Sequence, residues 1–106
     1  MDEKVYRIYK TKQFAYQFDD IGFYIAESAG APEPALDYMR RVEEAVSKLA
    51  YFPNRGSRPR DALLRMQGYR YIIVGRHLIF YKCQEEERRI LVVAIIDKRR
   101  KYEELL

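Results

Sequence analysis

Apolar side chains recur along this chain with two different periods, and the period changes near Pro53. Before that point Phe14, Phe18, Ile21 and Ile25 stand three or four residues apart, which places them on one stripe of a helix. Lys12, Asp19, Asp20 and Glu27 fall on the other side, Thr11 is suited to cap the start, and Gly22 weakens the interior. Residues 28–34 read as a connector, with Pro34 fitting the first turn of a second helix. In that helix Met39, Val42, Val46 and Leu49 form the inward stripe, while Arg40, Arg41, Glu43, Glu44 and Lys48 face water, and Pro53 ends it. Two amphipathic helices with a short connection predict an antiparallel hairpin.

On either side of the helices the pattern is that of strands. Residues 5–10, rich in Tyr, Val and Ile, predict a first strand. Residues 54–61 hold Gly, Pro and three arginines and predict an exposed loop. Three strands follow, at residues 69–74, 78–83 and 89–96, joined by a tight Gly75-Arg76 turn and by a charged tip at 84–88. The last is apolar at nearly every position, as expected of a strand covered on both faces at the centre of a sheet. Residues 97–101 leave it as a basic segment, and residues 102–106 suit one helical turn.

At 106 residues the chain is expected to form one domain, with no internal repeat. Its single cysteine, Cys83, excludes an internal disulfide framework and fits a reducing cytosol. Residues 1–4 lead into the first strand without an apolar signal region, and the run from Ile90 to Ile96 is too short to cross a bilayer. The expected setting is cytoplasmic, with no membrane contact.

Several chemistries find no support. There is no Gly-rich phosphate loop and no nucleophile elbow. One histidine and one cysteine are too few for a zinc site of soft ligands, so neither metal nor cofactor is expected. Asp19-Asp20 and Glu43-Glu44 are adjacent in sequence, hence divergent around a helix, and read as solvated faces. His77, at a strand start beside Arg76, is the side chain that titrates near neutrality; it is a candidate acid or base, although a strand histidine more often packs locally. Cys83 reads as a small hydrophobe. Ten tyrosines and no tryptophan make a skewed aromatic set, with Tyr69, Tyr71, Tyr81 and Tyr102 in or beside the basic half. Tyrosine can stack on bases, but it is also a favoured strand residue, and most are expected to pack.

Charge adds the sharpest signal. The net charge is +4, yet thirteen of the twenty basic residues lie between Arg55 and Lys101 against five acids, while the first fifty-four residues hold seven basic and nine acidic. Arg55, Arg58 and Arg60 are on the loop, Arg65 follows it, Arg70 and Arg76 are on the first hairpin, and Lys98, Arg99, Arg100 and Lys101 follow the last strand. Arginine outnumbers lysine there, which favours forked contacts to phosphate. The expectation is that these segments gather on one side of the sheet as a surface for a polyanion.

The run Leu64-Arg65-Met66-Gln67-Gly68-Tyr69-Arg70, then His77-Leu78-Ile79-Phe80-Tyr81, then the ending Ala94-Ile95-Ile96-Asp97-Lys98-Arg99-Arg100-Lys101-Tyr102-Glu103-Glu104-Leu105-Leu106, resembles the RelE/ParE toxins of bacterial type II toxin–antitoxin systems. The resemblance spans almost the whole chain. It implies an α+β fold, with an N-terminal strand and helical hairpin packed on one face of a twisted, mainly antiparallel four-stranded sheet. It also implies a cognate antitoxin as partner, and one of two targets: messenger RNA cleaved on the ribosome without a metal, or DNA gyrase poisoned without nuclease chemistry. Carried over, Arg99 matches the arginine of the C-terminal basic knot in cleaving members, and Arg70 stands where they place a strand lysine. His77 or Tyr102 would move protons, and the other basic residues named above would hold nucleic acid. Leu78 and Leu105 stand where cleaving members have an arginine and a tyrosine. The first expectation is a ribosome-dependent endoribonuclease; the alternatives, in order, are a gyrase poison and a small RNA- or DNA-binding module without toxicity.

Overall fold

The structure, a computed structural model, describes residues 5–106. Residues 1–4, on which the expectation of no signal segment rests, lie outside them. The chain runs β1 (Arg7–Lys10), α1 (Lys12–Ala29), α2 (Glu33–Ser47), a 3-10 turn (Lys48–Ala50), α3 (Ala62–Met66), β2 (Tyr69–Val74), β3 (His77–Gln84), β4 (Arg89–Asp97) and a final 3-10 turn (Tyr102–Glu104). Among the described residues no helix is long and apolar enough to cross a membrane.

Thr11 caps α1 as expected: its hydroxyl accepts from the Phe14 N–H at 3.0 Å and donates to the Val93 carbonyl at 2.6 Å, so the cap also ties the helix to β4. The helix continues through Ala29, into what reads as connector, and stops at Gly30, whose φ of 67° is the left-handed geometry that ends helices. Gly22 is more than a weak point. A Cβ there would sit 2.6 Å from Met39 Sδ, so the glycine makes room for the Met39 side chain of α2 against α1. Met39 is accordingly half-buried, while Val42, Val46 and Leu49 enter the core.

The sheet order is β1-β4-β3-β2, with β1 parallel to β4 and the other pairs antiparallel. This is the α+β fold expected, with the apolar strand at the centre. Phe14, Val42, Val46 and Leu49 pack on Ile79, Tyr81, Ile90, Val92 and Ile95. The other face carries Leu78, Phe80, Ala94 and Ile96, covered by Tyr69, Tyr71, Tyr102, Leu105 and Leu106. A bulge explains how β4 serves both layers: Phe80 pairs with Ala94 but Tyr81 with Val92, so Val93 is extra and the alternation shifts by one residue.

Two local expectations change. Asp61 caps a short helix, α3, by accepting from the Leu64 N–H at 3.0 Å, in a stretch whose sequence pattern predicts no element. Residues 54–61 are not simply an exposed loop, since Gly56 and Pro59 are buried and Ser57 exchanges two backbone hydrogen bonds with Tyr71, at 2.8 and 2.9 Å. The cause is the Tyr81 hydroxyl. Buried under the sheet, it donates to the Pro53 carbonyl at 2.8 Å and accepts from the Gly56 N–H at 3.0 Å, which draws the loop inward.

Candidate functional site

The register of the β3–β4 pair builds a cleft at one end of the sheet. His77 pairs with Asp97, and the Lys98 N–H donates to the Arg76 carbonyl at 2.8 Å, so the β2–β3 turn and the segment after β4 lie side by side. Helix α2 brings Tyr38 and Arg41 to the same place, and α1 brings Asp20, Ile21, Tyr24 and Ile25. Together with Gly75, Arg76, His77, Asp97 and Arg99 they line a cavity of about 580 Å³.

Asp97 organises its cationic rim. Its Oδ1 accepts from the Arg99 backbone N–H at 2.9 Å and from Arg99 Nε at 3.0 Å, and its Oδ2 from Arg99 Nη2 at 3.1 Å. Arg76 Nη2 stands 3.7 Å from the same carboxylate. The hydrogen bonds from Arg99 hold the Asp97 carboxyl at about 2, below its ordinary 3.8. Both guanidinium groups stay largely exposed.

Tyr38 organises the inner wall. Its hydroxyl is 2.7 Å from the Val74 carbonyl oxygen and 2.6 Å from His77 Nδ1, and the Arg41 guanidinium lies over its ring, 5.5 Å from the centroid. One hydroxyl proton cannot serve two acceptors. Donated to the Val74 carbonyl, it leaves Nδ1 to supply the second proton, which makes Nε2 the free acceptor of a neutral imidazole. Burial lowers the pKa of His77, against the opposing pull of Asp97, and burial raises that of Tyr38.

The remaining candidates are divided. Arg100 lines a smaller neighbouring cavity, and Lys98 and Lys101 are exposed at this same end. Arg70 is elsewhere: four residues before Val74, roughly 13 Å back along β2, its Nη1 donates to the Gly56 carbonyl at 2.9 Å. Arg65 is similarly turned to the Pro59 carbonyl at 3.0 Å and to that of Arg60. Arg55, Arg58 and Arg60 are exposed on that same loop. Tyr102 is on the opposite face of the sheet, its ring 4.9 Å from that of Phe80. The expected single basic surface is thus two groups, because the hairpin sends Arg70 and Arg76 to opposite ends of one strand. Of Arg99, Arg70, His77 and Tyr102, the cleft unites Arg99 and His77.

Sequence reasoning passed over Tyr38, Arg41, Tyr24 and Asp97. Tyr38 stands four residues before Val42, so the helical stripe offered a signal, and Asp97 was the lone acid between the central strand and the basic run. Cys83 is a free, half-buried thiol whose pKa burial raises. Among the described residues no three His, Cys, Asp or Glu side chains are grouped to hold a metal ion.

A helical hairpin on one face of a β1-β4-β3-β2 sheet, with a basic cleft where the sheet ends, defines a toxin of the RelE/ParE superfamily. The profile of the ParE toxin of the type II toxin–antitoxin system, parDE, matches residues 8–102, and the chain belongs to that family. Among solved structures, a chain of the chromosomal ParDE system from P. aeruginosa is 19% identical with a TM-score of 0.72, the match covering 89% of this chain and 97% of that one. A chain of the RelBE2 toxin–antitoxin complex from Mycobacterium tuberculosis is 17% identical with a TM-score of 0.60, covering 89% and 99%. No curated protein matches.

Proposed function

We propose that this toxin arrests growth by binding DNA gyrase and does not cut RNA, with residues 1–106 acting as one domain in the cytoplasm and a cognate antitoxin as its partner. The observation that carries the reading is the dispersal of the groups a nuclease would need. Cleaving a ribose–phosphate bond requires a base, a cation on the phosphate and an acid within about 3 Å of the reacting atoms. Here Arg70 is committed to a loop carbonyl, Tyr102 packs on Phe80 across the sheet, and Leu78 stands where cleaving relatives carry an arginine. Apolar side chains and the C-terminal tail occupy the face opposite the helices. Such a molecule is equipped to bind rather than to cut. The antitoxin follows from the family, and the P. aeruginosa and M. tuberculosis relatives both come from toxin–antitoxin systems.

Ribosome-dependent cleavage is the second reading, favoured by Arg99, Arg76 and Arg41 sharing one cleft with His77. The non-toxic module gives way to membership of a toxin family. Supercoiling by purified gyrase, titrated with the purified toxin, discriminates: inhibition at stoichiometric toxin is expected. Messages cut at defined sites during growth arrest, read by primer extension, with gyrase unaffected, would overturn the proposal.

A further inference from the structure

We propose that the cleft between the helical hairpin and the β2–β3 turn binds a nucleoside phosphate, a site that goes beyond the gyrase reading and stands whichever target the toxin meets. Three features of the cleft point to this class of ligand. Its volume, about 580 Å³, lies within the range of small-molecule sites. Its walls are aromatic and aliphatic, with Tyr24, Ile21 and Ile25 from α1 and Tyr38 from α2. Its rim carries Arg41, Arg76 and Arg99, one each from α2, the β2–β3 turn and the segment after β4.

The charges are arranged unevenly, and that asymmetry assigns the ends of the ligand. Arg99 is already forked onto Asp97, and Arg76 is held 3.7 Å from the same carboxylate. Arg41 makes no ion pair among the described residues and lies over the Tyr38 ring. Three guanidinium groups against the carboxylates of Asp97 and Asp20 leave the rim net positive, with Arg41 and Arg76 as the pair available to a phosphate. Elsewhere the cleft offers acceptors: His77 Nε2, freed by the bond at Nδ1, and the Asp20 carboxylate. An acidic peptide can meet the arginines with carboxylates and those acceptors with backbone N–H groups, so what favours a base is the flat aromatic surface of the cleft. A nucleobase brings ring or exocyclic N–H donors together with a flat face for Tyr24, which is 71% exposed. The base therefore lies against Tyr24 and the isoleucines, and the phosphate against Arg41 and Arg76.

Calorimetric titration of the full chain with AMP, adenosine, inorganic phosphate and a Phe-Glu dipeptide tests this. One-to-one AMP binding is expected, at least about tenfold tighter than that of adenosine or of phosphate, since each carries half of the contacts. The double variant Arg41→Gln/Arg76→Gln should weaken AMP by about tenfold or more while leaving adenosine unchanged. Tyr24→Ala should weaken AMP and adenosine alike and leave phosphate unchanged. All three positions are exposed, and a thermal melt of each variant confirms folding. The proposal is overturned if AMP fails to saturate at millimolar concentration, if phosphate alone binds as tightly, if the dipeptide binds more tightly than AMP, or if the folded double variant binds AMP as well as the parent.

Discussion

Asp97 does at the level of one residue what the basic run after β4 does not do for itself. Four consecutive basic residues carry charge in a line, and the carboxylate turns one of them, Arg99, back toward the sheet through three hydrogen bonds. Its carboxyl is held at about 2 in the folded chain against 3.8 ordinarily, so the stabilisation is fully present above pH 3.8 and is lost as pH falls through 2. His77 works in a separate window. Its pKa is lowered on folding, so the unfolded chain takes up the proton first and stability declines as pH drops below about 6.5. Urea midpoints followed from pH 8 to 2 should show both declines; Asp97→Asn should remove the acidic one and His77→Gln the one nearer neutrality. Arg99→Ala is expected to weaken toxicity strongly in an induced-expression growth assay, with melting temperature lowered only by the loss of its side-chain bonds to Asp97, because its side chain is 73% exposed. Undiminished toxicity would remove Arg99 from the working surface.

Between elements, glycine marks the close approaches, and the two that matter differ in what surrounds them. At Gly22 an added methyl group meets the end of the Met39 side chain, which is flexible and half-exposed. Gly22→Ala should therefore stay within about 1 kcal/mol of the parent, the gain in helix propensity offsetting the displacement of Met39. At Gly56 the same methyl group falls 2.8 Å from the Tyr71 carbonyl oxygen and 2.6 Å from the Tyr81 hydroxyl, neither of which can move without breaking the loop onto the sheet. Gly56→Ala should cost about 1–3 kcal/mol or more in chemical denaturation. Equal midpoints for the two variants would show that the loop is not anchored by Tyr81. The start of α1, the β2 strand and the Gly75-Arg76 turn were legible beforehand, since each rests on neighbours a few residues away, whereas α1 runs on to Ala29 and α2 gives way to a 3-10 turn after Ser47. Helix α3 was missed although its cap, Asp61, was in plain view, because five residues hold too little periodicity to register.

For the whole molecule, the tail is the least obvious contributor. Tyr102, Leu105 and Leu106 lie over Leu78, Phe80, Ala94 and Ile96, so the sheet is covered on both faces although the helices cover one. A chain ending at Lys101 should fold its helical face unchanged yet expose that apolar layer. Light scattering should report self-association, with the far-ultraviolet dichroism retained. A truncated chain that stayed monomeric would mean the tail is not a needed cover. The same scale explains how the arginines divided. Arg70 and Arg76 are six residues apart in one hairpin, and a strand that extends about 3.3 Å per residue sets such positions at opposite ends.

Periodicity, caps and turn chemistry are local properties, written into residues that meet within a turn or a hairpin, and they were enough to place the helical hairpin, the three-stranded meander and the central position of β4. They also carried the family resemblance that the ParE profile supports. Which charges would face one another was decided elsewhere. The pairing of His77 with Asp97, the bulge at Phe80 and Tyr81, and the crossing of α2 over the sheet's end join residues dozens of positions apart. A linear chain states the sign of each side chain, but its direction is set by register and packing, so the cleft of Tyr38, Arg41, His77 and Asp97 came into being with the tertiary fold.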